Sequence, residues 1–315
     1  MDRRSFVKKS ATAVSALGLG MHQVNAINNI APENSSLNFK LKYAPHLGLF
    51  TSHAGKEPSD QINFMADQGF TAFEDNRFGK RSVEVQEQIA KTLVKRNMEM
   101  GVFVAAGVNF KDRTENNFNN TITSGTKESF EKFLRDIKSC IEPAKRVNAK
   151  WVTIIPGLIY SKLHMDYQTA NVVEVLKQAS AILEPHGITM VLEPLNHFVN
   201  HPGAFLSRSA QAYQICKAVN SPACKILFDI YHLQIQEGNI INNIDKCWDE
   251  IAYFQIGDNP GRKEPTTGEI NYKNIFKHIH SKGYDGILGM EHGKSMKEKA
   301  GEIALLNAYK VSDSF

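Results

Sequence analysis

Four oxygen-bearing side chains close four apolar runs in the carboxyl half of this chain. They are Glu193 after Met190-Val191-Leu192, Asp229 after Ile226-Leu227-Phe228, Gln255 after Tyr253-Phe254, and Glu291 after Leu288-Gly289-Met290. The intervals of 36, 26 and 36 residues are each close to one strand-plus-helix unit, so four successive units end in a ligand oxygen. A carboxylate at the end of a buried strand is costly without a partner. Three converging carboxylates repel one another unless a cation lies among them, and no matching set of four lysines or arginines stands nearby. The economical partner is a divalent metal. An all-oxygen set that includes the Gln255 carbonyl favours Mg2+ or Mn2+ over Zn2+, which prefers imidazole and thiolate. Taken singly, each residue also has a bland reading: Glu193 and Glu291 as caps of the following turns, and Asp229 as N-cap of the segment Ile230 to Glu237. That reading covers one residue more easily than four in a row.

The elements that must position these groups are short apolar runs alternating with longer amphipathic ones. The runs predicted as strands are Tyr43 to Phe50, Thr71 to Glu74, Gly101 to Ala105, Trp151 to Ile155, Ile188 to Glu193, Lys225 to Asp229, Ala252 to Gly257 and Ile287 to Glu291. Helical spacing links them, as in Val85, Ile89, Leu93 and Val94, or Val172, Val175, Leu176, Ala179 and Leu183. His186-Gly187 and Lys282-Gly283 read as helix stops that lead directly into strands. Eight units over residues 43–315 predict a (β/α)8 TIM barrel, whose usual size is about 250 residues and whose chemistry sits at the carboxyl ends of the strands. The rival, a doubly wound open sheet, usually carries a glycine fingerprint after its first strand; here Phe50-Thr51-Ser52-His53 follows.

The chain has 315 residues, 42% hydrophobic and 22% charged, enough for one large core or two small ones. Its beginning, MDRRSFVKKSATAVSALGLGMHQVNA, has paired arginines, an apolar stretch from Ala11 to Met21 and a small-residue site at Val24-Asn25-Ala26. Residues 1–26 are therefore expected to be a twin-arginine export signal, with an amphipathic first helix as the alternative. The apolar stretch is too short to span a bilayer, and no cysteine precedes Cys140 to take a lipid. A free periplasmic protein is expected. Asn-, Ser- and Pro-rich residues 27–42 read as a linker and 43–315 as the catalytic barrel. Of the formal charge of +4, the signal carries +3, which leaves no electrostatic reason to expect nucleic acid or an anionic membrane as partner. Cys140, Cys216, Cys224 and Cys247 have no CxxC spacing and are expected in the core.

The segments LEPLN (192–196), FDIYHLQ (228–234), FQIGDNPGRKEPTTGEINY (254–272) and GYDGILGMEHG (283–293) resemble the hydroxypyruvate isomerase family within the xylose isomerase-like barrels. The resemblance is tight in the carboxyl half and loose before Trp151. It implies that Glu193 and Glu291 are paired acid/base glutamates that also touch the metal, that Asp229 and Gln255 complete the ligand set, and that His232 and Arg262 contact substrate oxygens. Histidine usually replaces Gln255 in the related ketose epimerases. The implied activity is isomerisation of a small sugar or hydroxycarbonyl acid through an enediolate. The alternatives are a ketose 3-epimerase and a non-catalytic sugar-binding barrel; the paired glutamates argue against the latter. A DNA-repair endonuclease would need several zinc-binding histidines and a basic face. The sequence leaves room for a homo-oligomer, and export points to free sugars and their oxidised derivatives as substrates.

For His232 the bland alternative is packing under a loop; for Arg262 it is a surface ion pair with Asp258 or Glu264. Glu74 and His46 could line the pocket but read more readily as structural or solvent-facing; His278 and His280 read as helix-surface residues; His197 and His201 either close over the substrate or, the commoner case, are solvated loop histidines. Asn109, Phe110 and Pro156-Gly157 fall at strand ends with no role assigned.

Overall fold

A computed structural model describes residues 38–112 and 114–315. The expected export signal, and the expected linker apart from residues 38–42, lie outside the described residues.

The strands are β1 (Lys42–Ala44), β2 (Ala72–Phe73), β3 (Glu99–Met100), β4 (Val104–Ala106), β5 (Trp151–Ile154), β6 (Thr189–Leu192), β7 (Cys224–Asp229), β8 (Ile251–Gln255) and β9 (Ile287–Gly289). Seven of them form a parallel sheet in the order β1-β9-β8-β7-β6-β5-β4, and β2 pairs with β3. Backbone bonds close the remaining gaps. Glu74 N donates to Pro45 O at 3.0 Å beside the parallel bridge His46–Glu74, and Thr153 N donates to Phe103 O at 2.9 Å. β3 and β4 are thus two pieces of one stave, and eight staves surround a common axis with helices between them, the (β/α)8 TIM barrel expected from the sequence.

Most expected strands come out a residue or two shorter, and two change more. The first does not run to Phe50: it ends at Ala44, and residues 47–50 form a turn into the helix Thr51–Ala54. The third, expected over Gly101 to Ala105, forms instead as β3 and β4 with residues 101–103 between them, where the Tyr253 side chain crosses the barrel. A Cβ on Gly101 would lie 2.3 Å from Tyr253 Oη. The helix stops form as expected, with Gly187 at φ +64° and Gly283 at φ +76°. Asn97, Asn148 and Asn220, at φ of 52°, 52° and 54°, end three further helices in the same left-handed conformation. Among the described residues no helix is long and apolar enough to cross a membrane, and all four cysteines are buried and free.

The period of two along each strand divides the core in two. Met190, Leu192, Ile226, Phe228 and Phe254 face the helices. Ala44, Ala72, Val102, Val191, Leu227, Tyr253 and Ile287 meet inside the barrel. Two residues further along these staves stand His46, Glu74, Glu193, Asp229, Gln255 and Gly289. An apolar floor therefore carries a polar layer at the carboxyl ends of the strands.

Candidate active site

Register fixes the neighbours within this layer: Asp229 pairs with Gln255 across β7 and β8, and Gln255 with Gly289 across β8 and β9. Glu193, Asp229, Gln255 and Glu74 are all nearly inaccessible to solvent. Glu291 lies two residues beyond Gly289, one step higher on its stave, and its side chain keeps 26% of its exposure. Its Oε1 accepts from Asn76 Nδ2 at 2.9 Å and its Oε2 from Arg262 Nη2 at 2.9 Å. The structure thus brings all four predicted oxygen groups to one mouth, in two tiers. Beside Glu291 opens a cavity of about 560 Å³, lined by residues that include His46, Asn76, Arg77, Arg262 and His292.

Arg262 comes from the loop after β8. Asp258 organises that loop by accepting from the amides of Asn259, Thr267, Gly268 and Ile270 at 2.8 to 3.1 Å. Arg262 does not form the surface pair with Asp258 or Glu264 that was its alternative. Its guanidinium reaches Asp229 Oδ2 at 3.2 Å as well as Glu291, and it stacks over the Tyr231 ring 5.0 Å away. The capping reading of Asp229 is observed, and it leaves one oxygen for the site. Its Oδ1 caps the helix Ile230–Gln236 by accepting from His232 N at 3.1 Å, while Oδ2 faces the site.

One guanidinium does not balance these carboxylates. Burial, then the charges of Glu291 and Asp229, push the Glu193 carboxyl well above the usual range, and Arg262 offsets only part of that rise. Burial, with Glu291 adding to it against the pull of Arg262, lifts Asp229 to about 6. Glu74 is raised by the same causes, burial first and Glu291 second.

Glu193, Asp229 and His232 offer ligand atoms that all lie within 4.8 Å of one another. His232 Nε2 is 3.9 Å from Glu193 Oε1 and 3.7 Å from Asp229 Oδ2. Its other nitrogen decides what Nε2 can do. Asn196 Oδ1 accepts from the amides of Val199 and Asn200, each at 3.0 Å, so its Nδ2 must donate, and it donates to His232 Nδ1 at 2.6 Å. The Asn196 amide also points at Nδ1, at 3.3 Å. With Nδ1 accepting, Nε2 carries the proton and is a donor rather than a lone-pair ligand. Burial, followed by Arg262 and His201, holds the ring well below its ordinary pKa and so neutral. His232 Nε2 and Gln255 Oε1 are both buried without a hydrogen-bond partner. The first suits a substrate oxygen and the second a cation.

The loop histidines are less solvated than the commoner expectation, whereas the helix histidines lie at the surface as expected. His201 is half-buried: its ring sits 5.2 Å from His232 and 4.7 Å from Phe110, and burial lowers its pKa to about 4. Burial also lowers the pKa of His197. His278 pairs with Asp245 at the surface. Glu74 is neither solvent-facing nor peripheral, and the signal for it was present: Thr71-Ala72-Phe73-Glu74 repeats the pattern of two apolar residues before a carboxylate that marks Glu193 and Asp229.

Residues 62–308 match the xylose isomerase-like TIM barrel family. The chain belongs to that family. Hydroxypyruvate isomerase of Escherichia coli (strain K12) is 34% identical over 171 residues, 54% of this chain and 66% of that protein, just under two thirds of the relative's length. Among solved structures, a Brucella melitensis protein named AP endonuclease, family 2, superposes with TM-score 0.70 at 25% identity, covering 83% of this chain and 96% of that one. D-psicose 3-epimerase of Clostridium cellulolyticum H10 superposes with TM-score 0.69 at 15% identity, over 86% and 98% of the two chains, a likeness of fold.

Nitrogen chemical shifts of His232 at neutral pH are expected to report the Nε2–H tautomer. Asn196→Asp, which turns an acceptor toward Nδ1, should move the proton to Nδ1 or charge the ring. An Nδ1–H signal in the unaltered protein would refute the assigned roles of both residues.

Proposed function

We propose that this member of the xylose isomerase-like barrels is a metal-dependent isomerase of a small hydroxycarbonyl compound, of the hydroxypyruvate isomerase type. The observation that carries the proposal is Gln255 Oε1, a buried carbonyl oxygen with no donor, in register beside the crowded carboxylate Asp229. Glu193, Asp229 and Gln255 would hold the ion, with Glu291 joining from the tier above. Mg2+ or Mn2+ suits that oxygen set. When bound, such an ion supplies positive charge that acidifies the proton next to the substrate carbonyl and stabilises the enediolate.

The protein groups do the rest. Glu193, buried beneath the site with a raised pKa, is suited to take a proton from carbon and to keep it from bulk water. Glu291, partly exposed at the mouth, is placed to return a proton to the neighbouring carbon. His232 donates its Nε2 proton to a substrate oxygen and stays neutral while doing so. Arg262 holds a substrate carboxylate or hydroxyl by charge-assisted bonds. The name of the Escherichia coli relative supports a hydroxycarbonyl acid as substrate class. A near-neutral mature chain with a buried acidic mouth gives nucleic acid no electrostatic hold.

Glu193→Gln and Glu291→Gln should each lower turnover at least about 100-fold while the fold is kept, measured on a panel of hydroxycarbonyl acids and sugars with Mn2+ or Mg2+. Full activity in either variant removes that glutamate from the mechanism. In deuterated water an isomerase labels the carbon adjacent to the one deprotonated, whereas an epimerase labels the same carbon.

Ion affinity should fall with acidity. Carboxyls with raised pKa values retain protons that the ion must displace, so the Mn2+ dissociation constant from calorimetry is expected to rise as pH drops through about 6, the value for Asp229. A constant affinity between pH 5 and 8 (roughly the span that brackets that value) would contradict carboxylate ligation.

Export of this chain through its paired arginines is part of the proposal. Replacing Arg3 and Arg4 by Lys should leave the unprocessed protein in the cytoplasmic fraction, and unchanged periplasmic recovery would refute the export reading.

A further inference from the structure

Every side chain assigned so far faces the mouth, but Gln255 has a second end. Its Nε2 donates to Glu74 Oε1 at 3.0 Å, and Tyr253 Oη donates to Glu74 Oε2 at 2.8 Å. Glu74 stands at the end of β2, three staves from β8, and reaches the amide by crossing over β9. It can cross because residue 289 is glycine: a Cβ there would lie 1.8 Å from Glu74 Oε2 and 3.2 Å from Gln255 Cγ. The polar layer therefore has a gap on one stave, filled by a carboxylate from another.

We propose that Glu74 is a positioning residue that fixes the flip of the Gln255 amide and so presents its carbonyl oxygen to the ion. This rests on the metal reading given above and adds to it the means by which one ligand is oriented. Once an ion offsets the negative charge around Glu74, that carboxylate is ionised, and an amide turned the other way would set Oε1 against Glu74 Oε1 across the same 3.0 Å, two acceptors with no proton between them. The carboxylate thus excludes the wrong rotamer, and Tyr253 and the gap at Gly289 hold the carboxylate itself in place. A group that orients a ligand from behind is worth about 10- to 100-fold in metal affinity when removed.

Mn2+ titration of the metal-stripped full-length barrel by calorimetry tests this without reference to turnover. Glu74→Gln keeps the shape but offers Gln255 either a donor or an acceptor, so the flip is no longer selected. Its affinity should fall about 10- to 100-fold. The exchanged pair Glu74→Gln with Gln255→Glu restores one donor facing one carboxylate and keeps the total charge; it should recover most of the lost affinity. This exchange also serves should the single variant fold poorly. Wild-type affinity in Glu74→Gln, or no recovery in the exchanged pair, overturns the positioning role. If the unaltered protein binds neither Mn2+ nor Mg2+, the metal reading itself is overturned, a result distinct from either of those.

Discussion

Four carboxylates held at one end of a closed barrel set the terms for everything around them. Glu74, Glu193 and Asp229 are buried, Glu291 is close above, and among the described residues Arg262 is the single guanidinium bonded to Asp229 and Glu291. Two like charges about 4 Å apart at an effective dielectric of 20 repel by about 4 kcal/mol, more than any one hydrogen bond in the site contributes. Burial raises the pKa of Glu193, Glu74 and Asp229, and the charge of Glu291 adds to each rise. Protons or a cation must relieve the repulsion. In the proposed reading a cation does so, and the unpartnered Gln255 Oε1 adds a neutral oxygen to the carboxylates around it.

The scaffold resists this repulsion by fixing each group on something rigid. Glu193, Asp229 and Gln255 stand at strand ends above an apolar floor that includes Val191, Leu227 and Tyr253. The groups from loops are fastened separately. Asp258 draws four amides together to shape the turn bearing Arg262, and Asn196 uses two amides of its own loop to set the orientation in which it meets His232. Arg262 and His232, the groups proposed to meet substrate oxygens, thus each depend on a loop residue bound to backbone. Preorganisation of this kind limits the reorganisation left for the moment of reaction.

The barrel was legible because a strand period of two and a helix period of 3.6 are properties of neighbouring residues. The polar strand ends stood out for the same reason. The two tiers were not legible: Asp229 and Glu291 look alike at the ends of ILFD and LGME, and only the pairing of Gln255 with Gly289 shows that Glu291 sits one step higher. The need for glycine at residue 101 depends on Tyr253 arriving from β8, about 150 residues away in sequence. Glu74 carried the right local signal, but its consequence depends on a missing side chain at Gly289, which a linear reading treats as an ordinary strand glycine. Features set by short spacing were readable, whereas those set by register across the barrel were not.

The same cross-barrel contact limits what residue 255 can be. Facing Glu74 it must donate, and facing the mouth it must accept. Glutamate lacks the donor, lysine lacks the acceptor, and leucine lacks both. Glutamine has a donor and an acceptor at the end of one side chain, and so does neutral histidine, with one protonated nitrogen and one lone pair. In the proposed reading either side chain can satisfy a carboxylate behind and a cation in front. With Glu74 reaching over the gap at Gly289, hydrogen-bond polarity therefore narrows residue 255 to side chains that both donate and accept.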